Sequence, residues 1–349
     1  MEFYQPNYRP TILIVDGNYF IRRAMYTPST RELSNSRGMP TGAIYSFFNS
    51  LRSTVSSIQC NSLIIAWDGG HSERRETIYP EYKDRHIDPD APPELDTFGM
   101  TDSQYFGHQL SWTEKILEYY GIPQVRIPGK EGDDTIYQIT RLLKGNKVLI
   151  SEDADYFSLI REDVAVYRPI KKQYVDLGNF ESITGYYTPR HFLYAKSILG
   201  DGSDNIPSVA KGVGESTVKS ILSNIEYERD VTTSRILKEA ASFKKSRFDK
   251  LVLAGEIPIN RNLDLIDISR ESFDIFQLKS IIDILEKKLY PNGQMVNKLF
   301  STLDFSSDTV RYISGSLMRL SEFSLSPLVN TSYLKEVAMN GSSILGGGC

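Results

Sequence analysis

Three short apolar runs that each end on acidic residues are the feature that most constrains the fold of this chain. "TILIV" leads into Asp16, "SLIIAW" leads into Asp68, and "KVLIS" leads into Glu152, Asp153 and Asp155, with helical patterns between the runs. Strands that are apolar along their whole length are usually parallel, with helices covering both faces of the sheet. The pattern therefore predicts an α/β fold with a mainly parallel central sheet flanked by helices.

The acidic residues are predicted to meet at one edge of that sheet. Ligands of open α/β sheets bind beyond the carboxyl ends of the strands, where these acids follow. Further acids occur in "GKEGDDTI", which opens a helix, and in "LGDGSDNIP". Each signal alone has an ordinary alternative, because acids are common in turns and stabilise helix starts. Together nine carboxylates would gather at this edge: Asp16, Asp68, Glu131, Asp133, Asp134, Asp153, Asp155, Asp201 and Asp204.

Such a group of like charges requires counter-charge, because mutual repulsion would raise the pKa values of the carboxyls or open the fold. Divalent cations would supply it, and ligation by oxygen alone suits Mg²⁺ or Mn²⁺ rather than zinc. The two cysteines, Cys60 and Cys349, and the four histidines show no zinc-ligand spacing. Two ions about 3.5–4 Å apart are a recurring device for displacement at phosphorus. The acids therefore predict a metal-dependent site for phosphoryl chemistry.

Five blocks in order resemble the structure-specific 5′-nucleases, which include bacteriophage 5′-exonucleases, flap endonucleases and the 5′-nuclease domain of bacterial DNA polymerase I. The blocks are "ILIVDGNYFIRRAMY", "IIAWDGGHSERRETIYPEYKDRH", "GKEGDDTI", "LISEDADYFSLI" and "ILGDGSDNIPSVAKGVGESTVKSIL". The resemblance covers about residues 11–300, and every expected carboxylate is present. The resemblance implies a PIN-like or Rossmann-like core with a helical C-terminal region of the helix-hairpin-helix type. It also implies Mg²⁺-dependent hydrolysis of DNA at 5′ ends and at single-strand/duplex junctions, in primer or flap removal during replication.

The resemblance implies two metal clusters and a phosphate-gripping turn. The catalytic metal would be held by Asp16, Asp68, Glu131 and Asp133, with Asp134 acting directly or through water, and the second cluster would be Asp153, Asp155, Asp201 and Asp204. The helix-hairpin-helix-like element at 199–222, often with a bound K⁺ in the family, would hold DNA through Gly212, Gly214, Ser216, Thr217 and Lys219. Ser208 stands where the family usually has glycine, and three residues rather than two separate it from Gly212. The path of this loop therefore departs from the family pattern.

The segment "SERRETIYPEYKDR" supplies basic residues directly after Asp68, where family members insert a helical arch. The resemblance makes Lys83 and Arg75 the arch residues that contact the scissile phosphate. Further DNA contacts are expected from Arg74, Arg85 and the base-stacking ring of Tyr82. A solvated surface helix is the alternative for this segment. The following "DRHIDPDAPPELDTFGMTD" predicts an acidic loop rather than a second basic helix.

The sequence predicts three parts: an α/β core at 1–198 with the arch at about 70–105, a helical DNA-binding region at 199–325, and a flexible tail at 326–349. The basic cluster from Lys244 to Lys250 predicts a second phosphate-facing strip, with a plain exposed helix as the alternative.

No apolar run is long enough to span a bilayer and the start lacks a signal peptide, so we expect no membrane contact and a cytoplasmic location, in the host if the chain is viral. No polymerase-sized extension follows, so we expect a free-standing monomeric nuclease. Its partners would be DNA with a 5′ flap or 5′ end, an RNA/DNA hybrid, and replication proteins.

The net charge of −4 argues against a nucleic-acid partner, but setting aside the nine acids leaves the rest of the chain mildly basic.

Three other functions stay open. A DxD-type phosphatase would need a second Asp two residues after Asp16, and "VDGN" lacks it. A non-catalytic DNA-binding protein should have lost some of the acids, and none is lost. Another PIN-like nuclease would share the acidic sheet edge but lack the 199–222 element.

Overall fold

The computed structural model of this 349-residue chain describes residues 9–84, 94–334 and 337. Its strands are β1 (Thr11–Asp16), β2 (Ser62–Trp67), β3 (Gln124–Arg126), β4 (Asn146–Ile150), β5 (Val164–Arg168) and β6 (Gln173–Val175). Its helices are α1 (Gly17–Met25), α2 (Gly42–Ser57), α3 (Glu73–Ile78), α4 (Asp102–Tyr119), α5 (Gly132–Leu142), α6 (Phe180–Thr184), α7 (Pro189–Leu199), α8 (Glu215–Leu222), α9 (Thr233–Ser242), α10 (Ser246–Ala254), α11 (Glu256–Ile266), α12 (Ile275–Glu286), α13 (Gly293–Thr302) and α14 (Ser307–Leu320). In the part of the chain that the structure describes, no helix is long and apolar enough to cross a lipid bilayer.

The described residues form two compact units, each built from several chain segments. The first unit contains residues 9–70, 94–151 and 273–334, and the second contains residues 71–84 and 152–272. The predicted division of the chain at residue 198 stays a prediction, because each compact unit combines separate stretches of sequence. Of the predicted tail at 326–349, residues 335–336 and 338–349 lie outside the described residues.

A four-stranded parallel sheet forms the centre of the first unit, with strand order β3-β2-β1-β4. Residues 12–15 of β1 and 63–67 of β2 are almost fully buried, as expected for strands covered on both faces. The register pairs Asp16 with Ala66, so Asp16 and Asp68 lie at the carboxyl ends of neighbouring strands. The predicted α/β fold with a mainly parallel sheet is confirmed.

An aromatic cluster ties the C-terminal helices of the first unit to its sheet-covering helices. Phe48 of α2 packs edge to face against Phe47 and against Phe300 of α13, and its ring also contacts Tyr120. All four rings are completely buried. Removing one such ring costs about 3–5 kcal/mol, so this cluster makes a large contribution to the stability of the unit.

The second unit is mainly helical and carries one antiparallel hairpin, formed by β5 and β6. Helix α7 packs against α8, against α11 and against the 3₁₀ turn at Ala154–Leu159. Helix α3 packs against α11 as well. Apolar residues at helical spacing, such as Val218 and Ile221 of α8, point into this core and are completely buried. Helix α7 therefore lies beside both acidic segments of this unit.

Candidate metal centres and nucleic-acid interface

The acids of the first unit lie at strand ends and at the start of α5. Asp16 ends β1 and caps α1, because its carboxylate accepts a 2.9 Å hydrogen bond from the N–H of Tyr19. The hydroxyl of Ser151, the residue after β4, lies 3.5 Å from the same carboxylate. Asp68 follows β2 and accepts a 2.7 Å hydrogen bond from the N–H of Gly132. This last contact joins the end of β2 to the first turn of α5.

Three carboxylates at the start of α5 are close enough to share a cation. Oxygen atoms of Glu131, Asp133 and Asp134 all lie within 4.8 Å of one another. Glu131 is the N-cap of α5 and the two aspartates lie in its first turn, where the helix dipole favours negative charge. Glu131 and Asp134 are buried and Asp133 is partly buried. A hard divalent cation fits this set, because it prefers several oxygen ligands and compensates buried negative charge.

Gly132 has a steric role in this group. A Cβ at this position would lie 2.7 Å from Oδ1 of Asp68, closer than non-bonded atoms approach. The missing side chain therefore lets the N–H of Gly132 reach Asp68 directly. This contact explains why a glycine stands between Glu131 and the two aspartates, where the end of β2 meets the start of α5.

A lysine neutralises two acids of the second unit. Lys196, in the last turn of α7, forms ion pairs with Asp155 and with Asp201, the latter at 2.8 Å. Burial raises the pKa of the Asp155 carboxyl to about 7, and the charge of neighbouring Asp153 adds to this effect. Burial alone would lower the pKa of Lys196, but its two carboxylate partners raise it above the ordinary value. Lys196 is therefore a charged group inside the cluster.

Lys196 is a charged residue of this site that was not predicted from the sequence. A basic residue in the last turn of a helix is favoured by the helix dipole, and this one comes five residues before Asp201. Burial acts to raise the pKa of Asp201, but hydrogen bonds from Lys196 and from Ser203 lower it overall. The position of Lys196 in the last turn of the helix that ends before "GDGSD" was the available signal.

A short closed loop presents Asp201 and Asp204. Asp201 and Ile206 pair through two backbone hydrogen bonds of 2.8 Å each, which fix the ends of the loop. Gly200, directly before it, has a φ of +78°, and a Cβ there would lie 2.5 Å from the carbonyl oxygen of Ile206. Only glycine fits at this position, so the first glycine of "GDGSD" sets the path of the loop.

A buried amide braces both sides of the same loop. The side chain of Asn262, on α11, donates 2.8 Å hydrogen bonds to the carbonyls of Ser197 and Pro207. Asn262 is completely buried. Since Ser197 precedes the loop and Pro207 follows it, one side chain holds both of its ends.

Two arginines predicted to contact DNA cap the end of a helix. Arg75 is 1% exposed and donates a 2.9 Å hydrogen bond to the carbonyl of Leu265, in the last turn of α11. Arg74 donates to the carbonyl of Asp264 at 2.8 Å and pairs with Glu271 at 2.9 Å. The last carbonyls of a helix have no partner within it and attract cations. Both arginines therefore have protein partners in this structure, and the expected contact of Arg75 with the scissile phosphate stays a prediction.

Tyr82 and Lys83 are neighbours with different environments. Tyr82 is 5% exposed and belongs to a buried cluster with Ile206, Leu265 and Ile266, and its base stacking stays a prediction. The side chain of Lys83 is 30% exposed, and its ammonium lies 3.8 Å from Oδ2 of Asp204. Lys83 therefore combines exposure with a position beside the second acidic cluster. Arg85 lies outside the described residues.

The predicted phosphate-gripping turn begins α8. Gly212 has a φ of +88°, and Gly214 is the N-cap of α8 without a side-chain capping bond. Ser216, in the first turn, is exposed. A Cβ built on Gly212 would lie 3.6 Å from the ammonium of Lys250, so this lysine of the predicted downstream strip lies beside the turn. An exposed turn, a helix start and a lysine are features of phosphate sites.

Two other residues of α8 are less available to DNA. Thr217 is 1% exposed, and its N–H donates to the carbonyl of Gly214 at 2.9 Å. Lys219 pairs with Glu215 at 2.9 Å, and its ammonium lies 5.2 Å from the ring centre of Tyr186. These side chains stabilise α8 and its surroundings.

The nine predicted acids thus fall into two groups that are each assembled by local contacts. The first unit contains Asp16, Asp68, Glu131, Asp133 and Asp134, and the second contains Asp153, Asp155, Asp201 and Asp204. That all nine serve one centre stays a prediction.

Relatives of this chain are known nucleases and polymerases. A 5′-3′ exonuclease of Aquifex aeolicus is 29% identical over 291 residues, which cover 80% of this chain and 93% of that protein. A 5′-3′ exonuclease of Buchnera aphidicola is also 29% identical, covering 75% and 92%. DNA polymerase I of Mycobacterium tuberculosis is 26% identical over 84% of this chain, which corresponds to 32% of the polymerase.

Solved structures share the fold. The T5 D15 protein, co-crystallised with metal ions, superposes with a TM-score of 0.57 at 21% identity, covering 84% of this chain and 98% of that one. Flap endonuclease-1 from Methanococcus jannaschii gives a TM-score of 0.52 at 12% identity, covering 90% and 93%. At these identities the likeness shows the fold alone.

The family model for the 5′-3′ exonuclease N-terminal, resolvase-like domain matches residues 11–185, half of the chain. That match contains seven of the nine predicted acids, from Asp16 to Asp155. The resemblance to the 5′-nucleases is therefore confirmed. The chain belongs to the 5′-3′ exonuclease family, a family of hydrolytic nucleases.

Proposed function

We propose that this protein is a divalent-metal-dependent 5′-3′ exonuclease and flap endonuclease acting at DNA 5′ ends and single-strand/duplex junctions. The observation that carries the proposal is the group of three carboxylates whose oxygens lie within 4.8 Å of one another. A flap endonuclease of bacteriophage T5 with the same fold is known in a complex with DNA and metal ions. RNA/DNA hybrids and 5′ flaps formed during replication would be the natural substrates, with replication proteins as partners.

Both acidic groups would bind Mg²⁺, with Mn²⁺ as a substitute. The first group provides Asp16, Asp68, Glu131, Asp133 and Asp134, and the second provides Asp153, Asp155, Asp201 and Asp204. The donor sets support this, since carboxylate oxygens are the ligands that hard divalent cations prefer. When bound, such ions stabilise the negative charge that develops on phosphate oxygens. K⁺ at the turn before α8 is a further part of the proposal.

Lys83 and Lys196 would have different roles. The partly exposed ammonium of Lys83 would bind an oxygen of the scissile phosphate and stabilise its charge. Lys196 would hold Asp155 and Asp201 in place until a metal ion shares their charge. Since the pKa of Asp155 is about 7, this carboxyl must release a proton before it binds a cation in mildly acidic solution.

The DNA duplex would be held by the start of α8. The turn at Gly212 and Gly214, the exposed Ser216 and the ammonium of Lys250 would contact phosphates without reading sequence. We further propose that residues 199–325 act as the DNA-binding region and that the arch extends over about 70–105.

Cleavage of a 5′-flapped duplex, compared with hydrolysis of a small phosphomonoester, tests this function. We expect Mg²⁺-dependent cleavage of the flap and no hydrolysis of the monoester. Asp155→Asn should nearly abolish cleavage at millimolar Mg²⁺ and leave DNA affinity in Ca²⁺ unchanged or improved, because it removes charge that repels phosphate. Asp230→Asn, an exposed acid of the same unit, is the control and should cleave normally. Near-normal cleavage by Asp155→Asn would contradict a metal role for the second group.

A further inference from the structure

Asn205 links the turn that carries Lys83 to the loop that carries Asp204. The side-chain amide of Asn205 donates hydrogen bonds to the carbonyls of Glu81, at 3.2 Å, and of Asp84. These carbonyls lie on either side of Lys83 in sequence. In addition, the backbone N–H of Lys83 donates to the carbonyl of Asp204 at 3.1 Å. The two segments are more than 100 residues apart in sequence, so these bonds fix their relative position.

Asparagine suits this position for two reasons. Asn205 adopts a left-handed conformation, with φ of 58° and ψ of 20°, which asparagine tolerates better than most residues. Its amide nitrogen carries two N–H groups, which match the two carbonyls. An ionised aspartate would have the same shape but could only accept hydrogen bonds, so it could form no hydrogen bond with either carbonyl. Glycine would keep the backbone conformation and lose both donors.

The linked turn is under conformational strain. Lys83 has a φ of +52°, which is unfavourable for a residue with a Cβ. The neighbouring ring of Tyr82 is fixed in the core against Ile206. The strained conformation directs the Lys83 ammonium to within 3.8 Å of Asp204, and the two amide hydrogen bonds hold the carbonyls on both sides of it.

We propose that Asn205 is a positioning residue that holds Lys83 beside Asp204 for contact with the substrate phosphate. This inference rests on the proposed function, in which Lys83 binds that phosphate. Asn205 itself would touch no substrate. It would keep the ammonium in place before DNA arrives, so that the lysine loses little freedom during the reaction.

The test measures single-turnover cleavage of a 5′-flapped duplex with protein in excess and saturating Mg²⁺. Asn205→Gly should lower the rate roughly 10- to 100-fold, the range for misplacement of a catalytic group. The dissociation constant for DNA and the Mg²⁺ midpoint should each change less than about threefold, because the 201–206 loop keeps its own hydrogen bonds. If Asn205→Gly does not fold, Asn205→Asp replaces it, since aspartate preserves the volume and removes the donors.

A double-mutant cycle separates positioning from a general structural role. In a Lys83→Ala background, Asn205→Gly should lower the rate less than about twofold further, because the group that it positions is already missing. Asn179→Gly is the matched control in the same unit, since the partly buried Asn179 also donates from its amide to a carbonyl, that of Tyr174 at 2.8 Å. This control should cleave at the normal rate.

Three outcomes would overturn the inference. Equal rate losses from Asn205→Gly in both backgrounds would mean that Asn205 supports the metal-binding loop rather than Lys83. A normal rate for Asn205→Gly, together with a slow Lys83→Ala, would overturn this inference and leave the proposed function intact. A normal rate for Lys83→Ala would overturn the role of Lys83 in the proposed function, and the inference with it.

Discussion

Both acidic groups contain carboxylates that accept hydrogen bonds from backbone N–H groups, but in the second unit a lysine also pairs with two of the acids. Asp68 accepts from Gly132, at the start of a helix whose conformation fixes the donor. Asp155 and Asp201 share the ammonium of Lys196, which ends a flexible side chain. Backbone donors cannot move away when a cation binds, but a lysine can. Under the proposed function we therefore expect the first group to be the more rigid receptor for a cation, and we expect Lys196 to leave Asp155 and Asp201 when a metal ion replaces its charge.

The largest expected effect comes from the rigid group. Asp133→Asn should lower single-turnover cleavage at least about 1,000-fold, because it removes charge from the group best suited to bind a cation. The exposed Asp308→Asn in the same unit is the control. A loss of cleavage rate smaller than about tenfold would contradict the proposed difference between the two groups, since the first group would then not be essential for catalysis.

The next largest effect is expected from Lys83, beside the second group. Lys83→Ala should lower the saturating single-turnover rate at least about 100-fold, because a preorganised charge contributes mainly in the transition state. The dissociation constant for DNA should change less than about tenfold. Weaker binding at an unchanged saturated rate would instead make Lys83 an ordinary phosphate contact.

Lys250→Ala should show the reverse pattern with a smaller effect. Beside Gly212, this lysine would contact a phosphate remote from the chemistry. We expect binding to weaken about three- to tenfold, the salt dependence of binding to decrease by about one phosphate contact, and the saturated rate to stay normal. Titrations at several salt concentrations measure both quantities. An unchanged salt dependence would remove Lys250 from the DNA interface.

The smallest expected effect is the pH dependence of thermal stability that comes from Asp155, in the second group. The pKa of Asp155 is raised to about 7 in the folded chain, so its protonated form stabilises the fold. This contribution is complete below about pH 4, the ordinary pKa of aspartate, and is lost as the pH rises through about 7. Without metal, Tm should therefore fall by about 2–4 °C from pH 5 to pH 8, and Mg²⁺ should raise Tm more at pH 8. Asp155→Asn should flatten this dependence, and an equally steep curve for the variant would contradict the assignment.

The positions of several acids at strand ends and at a helix start could be predicted from the sequence, because they belong to local patterns. An apolar strand followed by an acid, such as Asp16 or Asp68, places the carboxylate at the sheet edge without further information. The start of α5 was equally predictable, since its acids occur within four consecutive residues at the N-cap and in the first turn. These residues depend on contacts that the strand and helix patterns themselves define.

The partners of Arg75, Tyr82 and Lys196 were not predictable in the same way. Arg75 contacts the carbonyl of Leu265, which lies 190 residues further along the chain. A basic residue on a short helix gives the same sequence pattern whether it contacts DNA or caps another helix. Lys196 was hidden for a similar reason, because its pairing with Asp155 depends on how α7 packs against a distant turn. Long-range packing thus decided which charged side chains are structural.

The left-handed conformation of Lys83 has a consequence for how this protein would respond to selection. A non-glycine residue in this region costs roughly 1 kcal/mol, so glycine at position 83 should make the fold more stable. Under the proposed role of Lys83, a screen for thermal tolerance alone would therefore replace this residue and lower nuclease activity while the fold became more stable. In this chain the proposed catalytic lysine thus carries a cost in stability that glycine at the same position would avoid.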